Sequence, residues 1–426
     1  MTDPLLQVED LQVHFPVKMG LVQEVGRWIL RATGLAGRED GEEFVRPRVH
    51  AVDGVSFTLE RGEIFGLVGE SGCGKTTTGR AVLRLLKPTK GRIVFEGRDI
   101  TEAKEKELRP LRQRMQIIFQ DPHAALNPSM TIGQSIQDPV LVHGSATEAE
   151  ARAAALAVMD EVGLAPAGDL FNKYPADLSG GQKQRAVIAR AIILKPSLIV
   201  ADEPVAMLDM SIRARILELL LHLKRKYGLS YLFITHDLAT AKFVCDRIAI
   251  MYLGRIIEMG PAAPIYREPK HPYTKALISA IPVPEPGHVR AVALPRGEVP
   301  DAISPPKGCR FHPRCPVALP TCGWEGRDFL DFLEDLEVTS PDAVPGVGFA
   351  NEWAAGAFSA RRRVRVGDAS SVAVSVRELL GRAGSSLAQA VERVDVGDRE
   401  VVVRLRSPDA LRPTEVEGRT VECLLY

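Results

Sequence analysis

The sequence predicts an α/β protein whose main body is a parallel sheet covered by helices on both faces. Three observations carry this. Short apolar runs alternate with helical patterns from about residue 50 to 260, an order that favours parallel strands with helical crossovers. The run at residues 64–68 enters a Gly-rich turn that opens directly into a helix. Composition then changes at Pro261, and eleven prolines fall within the 46 residues 261–306.

Taken in order, residues 5–15 alternate well enough for a strand. Residues 16–48 form a polar, Gly-containing insertion in which Leu21, Val25, Trp28 and Ile29 have helical spacing. A helix packed on its own domain is the favoured reading there. Residues 75–86 read as the helix leaving the Gly-rich turn, stopped by Lys87-Pro88. A mostly helical stretch, 132–194, includes the Ala-rich TEAEARAAALAVMDEVGL. Residues 198–201 and 231–235 are buried-strand candidates, with a helix at 212–227 between them. The pattern at 248–251, Gly254 and 256–259 suggests a closing hairpin. Proline fixes φ and removes a donor, so 261–306 is expected to be irregular. Beyond Cys322, helix-like (371–380) and strand-like (400–405) patterns return, consistent with a small α+β piece across 323–417.

Composition narrows the function. Hydrophobic residues make up 45% and charged residues 25% of the 426, ordinary for a chain with a sizeable core. Lys+Arg and Asp+Glu are both 54, so no basic footprint points to nucleic acid. No run reaches the roughly 20 apolar residues that span a bilayer. The start, MTDPLLQVEDLQV, lacks the basic-then-apolar pattern of a secretion signal. The expected location is therefore cytosolic, with any membrane contact made through partners. Six cysteines in a chain this long do not suggest a disulfide scaffold.

Residues 69–76, GESGCGKT, fit the P-loop pattern G-x-x-x-x-G-K-[ST] between strand and helix. Gly69, Glu70, Ser71, Gly72, Cys73 and Gly74 supply a backbone that can close N–H groups around phosphate oxygens, at a helix N-terminus that favours anions. Lys75 is the cation for the β/γ-phosphates of a nucleoside triphosphate, Thr76 offers a hydroxyl to Mg²⁺, and Thr77 continues the loop. A P-loop alone serves kinases, GTPases, helicases and transporters equally. Residues 198–203, LIVADE, narrow the choice by placing two carboxylates at the carboxyl end of a buried strand. Asp202 suits Mg²⁺ coordination through water, and Glu203 suits a general base on the attacking water.

Residues 178–185, LSGGQKQR, resemble the signature motif of the ABC ATPases. Ser179, Gly180, Gly181 and Gln182 open a helix and expose N–H groups, a second anion site. In that family this site grips the γ-phosphate held by the opposing subunit, so the ATPase works as a dimer. Other positions match the family pattern. Gln120 in IIFQDP corresponds to the Q-loop glutamine, which senses Mg²⁺ and contacts the transmembrane subunit. Leu208-Asp209 resembles the D-loop, and His236 in FITHD matches the switch histidine at the γ-phosphate. Phe15 or, alternatively, Phe44 would be the aromatic that stacks on adenine.

HAVDGVSF at 50–57, EPVAMLDMSIRARIL at 203–217, HPYTKALISAIP at 271–282 and GCRFHPRCP at 308–316 are similar to the oligopeptide/dipeptide (Opp/Dpp) importer ATPases. The resemblance covers about 5–322 plus the final residues, interrupted at 16–48 and 323–417. It implies an ABC ATPase domain at 1–260 with a helical subdomain at about 121–195, a C-terminal extension at 261–322, and an appended piece at 323–426. It also implies a second ATPase subunit, identical or paralogous, two membrane permeases, an extracytoplasmic binding protein, and a peripheral place on the cytoplasmic face of the membrane. Peptides are the leading cargo; oligosaccharides, nickel and other solutes are the alternatives. A soluble ABC ATPase of translation or DNA repair is disfavoured by the single signature motif and the lack of heptads. Cys309, Cys315, Cys322 and Cys423 match cysteines that hold a [4Fe–4S] cluster in members with this extension. Their C-x5-C-x6-C spacing by itself fits neither common ferredoxin pattern nor a close-paired zinc site, and ordinary reduced thiols are the plain alternative.

Overall fold

The computed structural model describes residues 3–17, 47–144, 146–281, 297–340, 342, 346–365 and 367–426. The expected helix around Leu21–Ile29, the alternative aromatic Phe44 and the end of the 271–282 stretch lie outside them. The chain forms two compact units.

The first comprises Met1–Asp246 with Leu253–Arg255 and Asp301–Ser304. Its N-terminal sheet is antiparallel, with Leu6–Pro16 between Arg48–Leu59 and Lys90–Phe95. A parallel set of strands runs in the order Ile64–Val68, Ser230–Thr235, Leu198–Asp202 and Met115–Ile118. The first three are buried along their whole length, which explains their unbroken apolar runs. Helix Lys75–Val82 approaches this set closely because Gly79 has no side chain. A Cβ there would stand 2.7 Å from Ile234 Cδ1 and 2.9 Å from Val200 Cγ1.

That helix is shorter than the expected 75–86, and Lys87-Pro88 does not stop it. Arg84 takes a left-handed φ of 53°, and its Nε donates to the Ile100 carbonyl at 2.9 Å. Helices Ile132–Val142, Glu148–Glu161 and Gly180–Ile192 make up most of the helical segment. The first two open with capping boxes at Thr131/Gln134 and Thr147/Glu150. Helix Met210–Tyr227 ends at Gly228, whose φ is 63°.

The second unit comprises Arg247–Tyr252, Ile256–Pro300 and Pro305–Tyr426. This grouping differs from boundaries at 260 and 322, because strand pairing reaches across them. Strand Arg255–Pro261 pairs with Arg419–Val421, which pairs with Thr414–Val416. Buried charges, hydrogen-bonded to the backbone and 3.9 Å from each other at Arg419 and Glu258, reinforce the joint. The Glu258 carboxylate, fully buried, accepts from the Lys270 and His271 N–H groups, each at 2.9 Å. The Arg419 guanidinium donates to the carbonyls of Pro264 and Glu268. Burying these charges requires that they be paired and hydrogen-bonded in this way.

Despite its prolines, the 261–306 segment contains two short helices, Ala262–Arg267 and Pro272–Ser279. The second starts on proline at its first position, where no N–H is missed. Residues 326–405 build helix Gly326–Thr339, helix Ala369–Ala383 and a four-stranded antiparallel sheet. The sheet order is Trp353–Gly356, Ser359–Arg363, Glu400–Leu405, Val391–Val396. Phe329, Leu333, Trp353, Val376, Val401 and Val403 form its core.

Candidate functional site

The phosphate-type loop leaves strand Ile64–Val68 and ends at Gly74, the N-cap of helix Lys75–Val82, whose φ is 105°. Gly72 also has a positive φ, 81°. Both conformations favour glycine, so the loop's residue types follow from its backbone. Gly69 and Cys73 are buried, Glu70, Gly74, Thr76 and Thr77 are half-buried, and Ser71 and Gly72 are exposed. The Cys73 carbonyl accepts from the Gly254 N–H at 2.9 Å. Lys75 is buried, and its Nζ donates to the carbonyls of Gly69 and Glu70 at 2.8 Å each, closing the loop on a cation.

Next to the loop, Thr76 Oγ1 donates to Asp202 Oδ1 at 2.9 Å. Asp202 ends its strand almost fully buried. Burial pushes its carboxyl pKa up, and the Thr76 hydrogen bond only partly opposes this. Glu203 follows with φ 46°, pinned by its N–H to the Ile234 carbonyl at 2.9 Å. Its Oε2 accepts from Gln120 Nε2 at 3.1 Å and faces His236 Nδ1 at 3.0 Å. Three side chains from three separate segments thus meet on one carboxylate oxygen. The arrangement can orient a water, accept its proton and bind a cation beside a phosphate loop.

Ser179 caps helix Gly180–Ile192 in a capping box with Gln182: the Gln182 N–H donates to Ser179 Oγ at 3.4 Å, and the Ser179 N–H to Gln182 Oε1 at 2.9 Å. Ser179 and Gly180 are exposed, whereas Gly181 is buried against Ile212. Leu208 lies under Gly180, and Asp209 caps helix Met210–Tyr227. Phe15 is exposed at the end of its strand, opposite Val49. The Gly254 support of the loop was not anticipated, since a backbone-to-backbone contact leaves no side-chain signature.

All six cysteines are free. Cys309, Cys315, Cys322 and Cys423 share one neighbourhood. They lie close enough that ionising Cys315, Cys322 or Cys423 would raise the Cys309 pKa, ionising Cys322 or Cys423 that of Cys315, and ionising Cys322 that of Cys423. Burial pushes the Cys309 thiol up to about 12 and Cys315 to about 11. The Cys309 N–H donates to the Cys322 carbonyl at 2.9 Å. Gly308 and Gly323 permit this approach: a Cβ on Gly323 would fall 2.0 Å from the Lys307 carbonyl oxygen. Among the described residues, the grouping whose ligand atoms all lie within 4.8 Å of one another is His14, His50 and Asp53, not these cysteines. Also among the described residues, no helix is long and apolar enough to cross a membrane.

Comparison with known proteins agrees with this geometry. The ABC transporter family model matches residues 52–206, and the model for the oligopeptide/dipeptide transporter C-terminal region matches 257–322. The chain is 44% identical to the "Probable peptide ABC transporter ATP-binding protein y4tS" of Sinorhizobium fredii, over 76% of this chain and 85% of that protein. It is 46% identical to the oligopeptide transport ATP-binding protein OppF of Salmonella typhimurium, over 75% of this chain and 90% of that one. Among solved structures, cbiO1 from Clostridium perfringens, part of the ABC transporter complex cbiONQ, superposes with a TM-score of 0.50. It is 28% identical and covers 63% of this chain and 92% of its own. Fold and motifs define an ATP-hydrolysing ABC cassette. More narrowly, the chain belongs to the family of ABC transporter ATP-binding proteins that carry the oligopeptide/dipeptide C-terminal region.

Proposed function

We propose that this chain hydrolyses ATP to power peptide import, as one of two ATPase subunits beneath two membrane permeases. The observation that carries the mechanism is the meeting of Gln120 and His236 on Glu203 Oε2, beside the Thr76–Asp202 pair. Lys75 takes the β/γ-phosphates in exchange for its carbonyl partners. Thr76, Asp202 and Gln120 suit a Mg²⁺ ion, since a buried carboxylate whose neutral form is favoured gains most from a bound cation. That ion would neutralise charge on the β- and γ-phosphates. Glu203 accepts the proton of a water attacking the γ-phosphorus, while the bond to the ADP oxygen breaks. His236 orients that water and faces the γ-phosphate. Residues 179–182 act in trans on the partner's ATP, and Phe15 stacks on adenine.

Peptide cargo is supported by the relatives, which are named as peptide and oligopeptide transport ATP-binding proteins, and by the matched C-terminal region. An extracytoplasmic binding protein would deliver the peptide, and the ATPase would sit peripherally on the cytoplasmic membrane face. Co-purification tests the assembly: permeases should accompany the chain from detergent extracts, whereas recovery with ribosomes or DNA repair factors would defeat the proposal.

The second part of the reading is that Cys309, Cys315, Cys322 and Cys423 hold a [4Fe–4S] cluster. The shared neighbourhood of the four thiols supports it, with Cys309 held to Cys322 by a hydrogen bond from the Cys309 N–H to the Cys322 carbonyl at 2.9 Å. Such a cluster takes four thiolates, would tie the chain end to the 309–322 loop, and has no part in hydrolysis. Anaerobic purification should yield brown protein with about four irons per chain, and Cys423→Ser should lose most of that iron while keeping ATP binding. Colourless protein, with or without zinc, would overturn it.

A further inference from the structure

We propose that His14, His50 and Asp53 form a binding site for one divalent transition-metal ion of the zinc class. The three lie on neighbouring antiparallel strands, Leu6–Pro16 and Arg48–Leu59. Asp53 pairs with Gln12, Val52 with Val13, and His50 with His14, so Ala51 is an extra residue in the ladder. That bulge matters. Residues three apart on a regular strand point to opposite faces, but each of these pairs with an even-numbered neighbour on the same face of its partner. Val13 and Val52 turn the other way, into the core. The bulge therefore gathers two imidazoles and a carboxylate on one side.

The resulting geometry is close to what an ion needs. His14 Nε2 lies 2.9 Å from Asp53 Oδ1, and His50 Nδ1 lies 3.4 Å from Asp53 Oδ2. The imidazole rings are 4.2 Å apart, and one ligand atom from each residue falls within 4.8 Å of the others. Ligands of a tetrahedral zinc at bond lengths of about 2.0–2.2 Å stand roughly 3.3–3.6 Å from one another. The two imidazoles face different Asp53 oxygens, so closing the set from within 4.8 Å takes a rotation of that carboxylate together with small movements of the rings. The side chains are 12%, 31% and 19% exposed for His14, His50 and Asp53, shielded yet reachable. Their backbones are anchored independently of any ion. The His14 N–H donates to Thr89 Oγ1 at 2.9 Å, that of His50 to the Ala302 carbonyl at 2.8 Å, and that of Asp53 to the Gly254 carbonyl at 2.9 Å. Two imidazoles and one carboxylate suit zinc and neighbouring borderline metals, and leave a fourth position for water.

The ion clips together the two strands from which residues 18–46 depart and to which they return. The site shares no residue with the phosphate loop or with the four cysteines, so the test must distinguish it from both. The full chain and its His50→Ala variant are loaded with zinc, dialysed against buffer and assayed for bound metal. The unmodified chain should hold about one more zinc per chain, and only its melting temperature should rise further as zinc is added. Equal zinc content together with equal zinc-dependent melting would overturn the site. X-ray absorption of the zinc-loaded unmodified chain gives a test that needs no variant. A nitrogen/oxygen shell at about 2.0–2.1 Å is expected, and a shell of sulfur alone would refute it.

Discussion

Replacing Glu203 by glutamine removes the proposed proton acceptor and little else. In the folded site Glu203 Oε2 accepts one hydrogen bond, from Gln120 Nε2 at 3.1 Å, and faces His236 Nδ1 at 3.0 Å. A glutamine is isosteric. Its carbonyl oxygen, placed where Oε2 stands, can still accept from Gln120 and from the Nδ1–H tautomer of His236. The main-chain anchor to the Ile234 carbonyl is untouched. The geometry therefore survives, and the loss is that of general-base catalysis, about 10²–10⁴-fold in rate. At about 1.4 kcal/mol per decade this raises the barrier by about 3–5 kcal/mol. The assay is phosphate release from the assembled transporter, alongside nucleotide binding to the same preparation. Binding should persist, and the closed, ATP-bound dimer should accumulate on size exclusion. Hydrolysis by the variant at the unmodified rate would refute the assignment.

Three further perturbations separate the parts of the site. Lys75→Ala should abolish binding of a fluorescent ATP analogue, because it leaves phosphate charge facing a loop built around a buried cation; retained affinity would contradict that role. Ser179→Arg should suppress hydrolysis in the dimer without weakening ATP binding to the isolated subunit. Equal loss of both would exclude action in trans. Gly79→Val should destabilise the fold by about 1–3 kcal/mol through overpacking, since even a Cβ would stand 2.7 Å from Ile234 Cδ1. Chemical denaturation measures it, and an unchanged midpoint would show that the helix can move away.

The nucleotide motifs were legible because phosphate chemistry restricts residue type. Positive φ at Gly72 and Gly74 and a buried Lys75 leave few alternatives at those positions. The strands beside them were equally plain, as burial on both faces demands continuous apolar runs. Helix length was less so. Lys87-Pro88 is a conventional stop, but the helix ends at Val82, where the Arg84 side chain holds a left-handed turn that no local pattern announces. Long-range pairing was also hidden. Nothing near Arg419 indicates that it reaches the carbonyls of Pro264 and Glu268, more than 150 residues earlier in the chain. The His14–His50–Asp53 group depends on a one-residue bulge, and register of that kind is set by the partner strand. Helix Ala369–Ala383 has a clear apolar stripe, whereas hairpin Trp353–Arg363 carries AAG and RRR segments with little alternation.

If ATP hydrolysis at this site drives peptide import, uptake by a reconstituted transporter reads the coupling without intermediaries. Proteoliposomes would contain the permeases, both ATPase subunits and the extracytoplasmic binding protein, with ATP on the face carrying this chain. Labelled peptide should accumulate only with hydrolysable ATP, and transport should fall in step with hydrolysis when Glu203→Gln replaces the unmodified chain. Peptide uptake that continues at full rate with the Glu203→Gln chain, or ATP turnover in the assembled complex that moves no peptide, would contradict that coupling.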